Sequence, residues 1–223
     1  MILAVSGVDC AGKSTQIAML EAHLRAHGAR PDVRWHRPGY SRGLDLARAA
    51  VRRLRPGAMP APGPSAARER AFSNPRLQRA WAAMALVDTL THYAVEVRAL
   101  SLAGRAVICD RYVDDGLLDL RLRFPDLHTD RWLTTRALLR ATPRPDLSIL
   151  LMLDRARVQE RIAAKAEPFP DPPATRERRH AAYDALAASG RFTVVDADGT
   201  PEEVFARVRA LLPAALGGDG RRH

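Results

Sequence analysis

The stretch Met1-Ile2-Leu3-Ala4-Val5-Ser6-Gly7-Val8-Asp9-Cys10-Ala11-Gly12-Lys13-Ser14-Thr15 decides the fold. Met1 to Ser6 is a short apolar run of the kind that forms a parallel strand buried on both faces. Gly7 to Ser14 fits G-x-x-x-x-G-K-[ST] at every position. From Thr15 to His27 the apolar residues Ile17, Leu20 and Leu24 fall at helical spacing, and Gly28 closes the helix. A buried strand, a glycine loop and a helix in that order build a phosphate-binding loop.

The physical reasons are local. Glycines let successive backbone N–H groups curl around phosphate oxygens as a nest. The helix N-terminus adds the positive end of its dipole. Lys13 would contact the β and γ phosphates of a nucleoside triphosphate, and the Ser14 hydroxyl would ligate Mg²⁺. Gly7, Val8, Asp9, Cys10, Ala11, Gly12, Lys13, Ser14 and Thr15 are thus the candidate ATP-binding residues.

Working outward, strand-like and helix-like segments alternate along the chain. Short strands are expected at Val33–His36, Ala106–Cys109, Leu147–Leu153 and Phe192–Val195. Helices are expected at Leu44–Leu54, Gln78–Leu102, Arg155–Ala166, Ala174–Ala188 and Pro201–Leu212. This alternation predicts an α/β fold, a doubly wound parallel sheet of about five strands flanked by helices. Residues 1–216 read as one domain, with an exposed Pro/Gly-rich loop at 55–64 and a disordered tail at 217–223.

Hydrophobic residues make up 47% of the 223, enough for a buried core. No apolar run reaches the roughly 18 to 20 residues of a membrane span, and the N-terminus has no signal-peptide pattern. A cytoplasmic protein is expected. Cys10 and Cys109 form neither a disulfide framework nor a metal-ligand spacing. The net charge of +10 fits nucleic acid or polyanionic small substrates equally. The arginines are scattered along the expected helices, with no aromatic-and-basic stripe and no helix-turn-helix pattern, so nucleic acid is not the expected partner.

Val107-Ile108-Cys109-Asp110-Arg111-Tyr112 puts a carboxylate at the carboxyl end of a buried strand, the sheet edge where ligands bind in open α/β folds. Asp110 would hold Mg²⁺ directly or through water, and the planar donors of Arg111 suit an acceptor phosphate.

Together these residues resemble the thymidylate kinase family of P-loop nucleoside monophosphate kinases. Gly7-Val8-Asp9 is similar to that family's loop opening, and Asp110-Arg111-Tyr112 to its D-R-[YFH] motif. Arg144-Pro145-Asp146-Leu147 matches R-P-D-L before a later strand, and Val195-Asp196-Ala197 followed by Pro201-Glu202-Glu203-Val204 matches the segment near the adenine. The resemblance implies transfer of the γ-phosphoryl of ATP to a small phosphorylated acceptor, with Mg²⁺ and a homodimeric enzyme. It implies that Asp9 touches the acceptor sugar or helps position Mg²⁺, and that Arg111 binds the acceptor phosphate. It makes about 155–183 a lid whose arginines neutralise the transferring phosphoryl group, with Arg157, Arg161 and Arg176 as candidates.

The acceptor half departs from the family pattern. With His92 aligned, Thr89 stands where the family has Arg and Ala85 where it has an aromatic, while Asp88 fits the acidic residue before that arginine. Trp81 offers a stacking face one turn earlier. Cys10 occupies a position where one branch of the family has a catalytic arginine. Arg37-Pro38-Gly39 resembles a worn R-E-P-G, so Arg37 or Arg42 would take the acceptor contact. Val113-Asp114-Asp115-Gly116-Leu117-Leu118-Asp119 brings three carboxylates where the family has hydroxyl residues and Tyr or Gln. These carboxylates, Asp115 among them, would bind a cationic or hydroxyl-rich group or form a solvated helix start. Thymidylate and a related or modified nucleotide both stay open, and a non-nucleotide metabolite is the alternative.

Overall fold

Ile2–Gly7 forms β1, and every one of its residues is buried. The other strands are β2 (Pro31–Trp35), β3 (Ala106–Asp110), β4 (Leu147–Met152) and β5 (Thr193–Asp196). They make one sheet in the order β2-β3-β1-β4-β5, with every neighbouring pair parallel. The computed structural model describes residues 1–41, 53, 72–165 and 172–213. Apart from Arg53, the expected helix at 44–54 lies outside the described residues, as do the expected loop at 55–64, residues 166–171 of the expected lid and the expected tail at 217–223.

The strand order reverses at β1, whose neighbours β3 and β4 both come much later in the chain. Such a switch point opens a crevice at the carboxyl ends of the strands. Register fills it: Val5 lies opposite Asp110, and Gly7 lies opposite Leu151. The strand-end carboxylate is thereby set beside the phosphate loop.

Helices cover both faces. They are α1 (Lys13–Ala26), α2 (Pro75–Thr91), α3 (Arg98–Leu102), α4 (Val113–Arg123), α5 (Leu133–Ala141), α6 (Arg155–Lys165), α7 (Pro173–Ala188) and α8 (Pro201–Arg209). Side chains alternate across each strand. Leu3, Val5 and Ile108 therefore meet Leu20, Leu24, Tyr183 and Val204 on one face. Ile2, Ala4, Val107 and Cys109 meet Leu86, Tyr93, Val97 and Leu138 on the other.

The five expected strands all form, shifted by a residue or two. The long helix expected at Gln78–Leu102 forms as α2, a π-helical turn over His92–Val97, and α3. Asn74 caps its start by accepting from the Arg76 N–H. At the wide turn His92 stacks on His36, with ring centroids 4.4 Å apart and planes 11° from parallel. The Thr89 hydroxyl donates back to the Ala85 carbonyl at 2.7 Å. It therefore accepts from Nε2–H of His36 at 3.1 Å, which fixes that ring's tautomer. Among the described residues no helix is long and apolar enough to cross a membrane.

Candidate active site

The phosphate loop needs its glycines for two different reasons. A Cβ on Gly7 would sit 2.3 Å from the Leu151 carbonyl oxygen, so close approach to β4 excludes any side chain. Gly12 has φ +80 with nothing within 4 Å of a Cβ, so its requirement is conformational. Cys10 also takes a left-handed conformation, at φ 59. Inside the loop, Lys13 Nζ donates to the carbonyls of Gly7 at 2.9 Å and Val8 at 2.8 Å. Burial lowers the pKa of this ammonium, and the nearby charge of Arg111 adds to the effect. Ser14 and Thr15 lie exposed at the first turn of α1.

Asp110 closes β3 beside the loop. Burial raises its pKa, opposed by the positive charges of Lys13 and Arg111. The Ser14 hydroxyl and the Asp110 carboxylate are hard oxygen donors, which suit Mg²⁺.

Arg111 follows in a left-handed backbone conformation, φ 76, that non-glycine residues rarely adopt. Its N–H donates to the Val5 carbonyl at 3.0 Å, and its own carbonyl accepts from the Tyr93 hydroxyl at 3.2 Å. This backbone turn aims the guanidinium between Asp9, at 3.7 Å, and the Tyr183 hydroxyl, at 3.5 Å.

Arg179 reaches the same carboxylate from α7, with Nε 3.5 Å from Asp9 Oδ2, and also pairs with Asp119. Its residue is buried. Arg37 approaches the other oxygen of Asp119 at 3.4 Å. A cleft of about 290 Å³ opens beside this network, lined by Arg37, Pro38, Trp81, Asp119, Arg123 and Arg179 among others. Trp81 packs edge-on to Phe72 and Phe124, and the Arg123 guanidinium lies 4.8 Å from its ring centre.

The expected residues separate clearly. Asp9, Lys13, Asp110 and Arg111 come together at the sheet's switch point, and Arg37 stands at the cleft. Arg161 reaches the phosphate loop from α6, donating to the carbonyls of Cys10 and Ala197, each at 3.2 Å. Arg157 is exposed and pairs instead with Glu160 and Asp198, while Arg176 donates to Gln159. Arg42 lies outside the described residues.

Three residues expected on the acceptor side are engaged by the protein itself. Thr89 is 2% exposed and consumed by its bonds to Ala85 and His36. Asp88 is turned to its own protein, accepting from the Gly39 N–H at 3.1 Å. Asp115 is 1% exposed and accepts from the Ser6 hydroxyl, the Tyr112 N–H and the Tyr183 hydroxyl at 2.5, 2.8 and 2.6 Å. The start of α4 is not solvated either, because Asp114 pairs with Arg191 at 2.8 Å. Buried carboxylates need such donors, and here the protein supplies them itself.

Arg179 and Tyr183 are the site residues that sequence reasoning missed. The run from Arg176 to His180 holds four basic residues, and composition cannot choose among them. Helical phase can: Arg179 lies four residues before Tyr183 and seven before Leu186, both buried, so it shares their inward face.

No protein-family model matches the chain. Curated relatives do. A thymidylate kinase of Leifsonia xyli subsp. xyli is 33% identical over 218 residues, covering 95% of this chain and 94% of the relative. One of Desulfovibrio desulfuricans is 30% identical and covers 99% of each chain. Another, of Solidesulfovibrio magneticus, is 31% identical over 97% of this chain and the whole of the relative. With similarity of this depth from end to end, over a sheet and loop built as described, the chain belongs to the thymidylate kinase family.

Proposed function

We propose that the protein transfers the γ-phosphoryl group of ATP to a nucleoside monophosphate, thymidylate or a related nucleotide. The observation that carries this reading is the placement of Arg111 and Arg179 on either side of Asp9, between the phosphate loop and the cleft bearing Trp81. The loop would hold the donor phosphates, and Lys13 would exchange its two loop carbonyls for phosphate oxygens. Arg161, already at the loop, would supply positive charge to the transferring group. Arg111 would hold the acceptor phosphate, with the rest of the acceptor in the cleft against Trp81 and within reach of Arg37.

In this arrangement an acceptor phosphate oxygen attacks the γ-phosphorus. The bond from that phosphorus to the β-bridging oxygen breaks, and its electron pair leaves with ADP. There is no covalent work for the protein, so catalysis is positioning and charge neutralisation. Mg²⁺, held through Ser14 and Asp110, would neutralise charge on the donor phosphates when bound.

End-to-end similarity to thymidylate kinases weighs against a non-nucleotide acceptor. The family, together with the exposed apolar side chains Val87, Val95 and Leu102 along α2, the π-helical turn and α3, supports a homodimer. ADP release measured against a panel of nucleoside monophosphates tests the function. Turnover is expected with thymidylate or a close relative of it, and ATP binding without turnover on any member would sink the reading.

A further inference from the structure

Asp115 and Tyr183 stand outside the residues that would meet either nucleotide, yet both end on Arg111. The geometry is directional. Arg111 Nη1 donates to the Tyr183 oxygen at 3.5 Å, and the Tyr183 hydroxyl donates to Asp115 Oδ1 at 2.6 Å. The other carboxylate oxygen is held by the Ser6 hydroxyl of β1 at 2.5 Å and by the Tyr112 N–H at 2.8 Å. The carboxylate end of this chain is therefore fixed both to the central strand and to the turn that carries Arg111 itself.

Satisfaction of the carboxylate accounts for one part of the tyrosine's role, as the donor to Oδ1 while Ser6 and Tyr112 both serve Oδ2. What Tyr183 adds is an oxygen aimed at the guanidinium. Hydrogen bonds in series polarise one another, so a carboxylate behind the hydroxyl makes that oxygen a better acceptor. Burial keeps the phenol protonated, holding its pKa well above the ordinary value, with the charge of Asp115 pushing the same way. One helical turn back on α7, Arg179 contacts Asp9, the carboxylate that flanks Arg111 on its other side. A single helix thus sets both neighbours of the Arg111 guanidinium.

We infer that Tyr183 and Asp115 are positioning residues that orient Arg111, and that they set affinity for the acceptor nucleotide while leaving the ATP site alone. This rests on the reading of Arg111 as the acceptor-phosphate residue. The device is available to this chain because a carboxylate occupies position 115, within reach of a tyrosine on α7.

The experiment is steady-state kinetics on the full chain, with the KM for the nucleoside monophosphate and the KM for ATP measured separately. Tyr183→Phe should raise the acceptor KM about tenfold, the weight of a hydrogen bond to a charged group. The ATP KM should stay within about twofold, a change too small to signal a lost contact. In a double-mutant cycle, adding Asp115→Asn to Tyr183→Phe should cost much less than it does alone, because the two act through one contact. Leu186→Ala, which loosens the same helix by a cavity, should lower the melting temperature and leave the ratio of the two KM values unchanged.

Should Tyr183→Phe not fold, Asp115→Glu, which keeps the charge and moves the oxygens, reads the same ratio. Equal shifts in both KM values, or a change in melting temperature alone, would overturn the inference. An unaltered enzyme that turns over a monophosphate while Tyr183→Phe matches it would overturn the inference and spare the function. Absence of transfer by the unaltered enzyme would overturn both.

Discussion

The carbonyl oxygen of Cys10 accepts a hydrogen bond from Arg161 at 3.2 Å, joining α6 to the phosphate loop. The second nitrogen of the same guanidinium reaches the Ala197 carbonyl, just past β5, also at 3.2 Å. An arginine so held brings its charge to the loop without a separate closing movement of its own. Of the three arginines singled out in the sequence, it is the one the fold brings to the phosphate loop.

Arg161→Ala should therefore lower kcat by on the order of 10³, the weight of an arginine at a transferring phosphoryl group. The acceptor KM should change little. Arg157→Ala, removing a solvent-exposed side chain paired with Glu160 and Asp198, should leave kcat within about twofold, as surface pairs contribute little. Steady-state kinetics of the two variants side by side makes the comparison.

Lys13→Ala should abolish transfer while leaving the fold in place. Its ammonium is buried in the loop and held by two backbone carbonyls, an arrangement that burial disfavours. The variant should melt no lower than the parent. Circular dichroism with the coupled assay separates loss of chemistry from loss of structure.

Gly7→Ala should destabilise the protein by about 2 kcal/mol or more, since a Cβ would meet the Leu151 carbonyl and φ lies at +150. Gly12→Ala meets no atom within 4 Å, so its cost is confined to the left-handed backbone. The order of denaturant midpoints, Gly12→Ala above Gly7→Ala, checks the distinction.

The strands and the phosphate loop were legible in the sequence because buried parallel strands are continuous apolar runs and the loop's glycines have fixed spacing. Asp110 and Arg111 were legible for the same reason, as the polar residues that end such a run. The acceptor side was not. Thr89 and Asp115 are polar residues at plausible positions, and nothing local distinguishes a ligand contact from a buried hub. That distinction depends on Ser6, Tyr183 and His36, distant in sequence and brought near only by the fold. The helix α5 went unread, and α4 was read no further than a helix start at its carboxylates, because short helices rich in Asp, Thr and Arg lack a long apolar period.

Acid should destabilise the fold through His36. Burial lowers its pKa to about 3, and the facing ring of His92 adds to this, itself lowered by burial and partly rescued by Glu96. Because the folded value lies below the unfolded one, the unfolded chain binds more protons between them. The stability is complete above the unfolded pKa of roughly 6.5 and is lost as pH falls toward the folded value. Between about pH 6.5 and about pH 5 the loss should be about 2 kcal/mol. Thermal melts across that range should show it, and His36→Gln should show a smaller dependence.

The most direct test of the account is phosphoryl transfer from ATP and Mg²⁺ to a panel of nucleoside monophosphates that includes thymidylate, followed by ADP release. The account predicts turnover with thymidylate or a closely related nucleotide, lost in Lys13→Ala. Binding of ATP with no transfer to any member of the panel would contradict it.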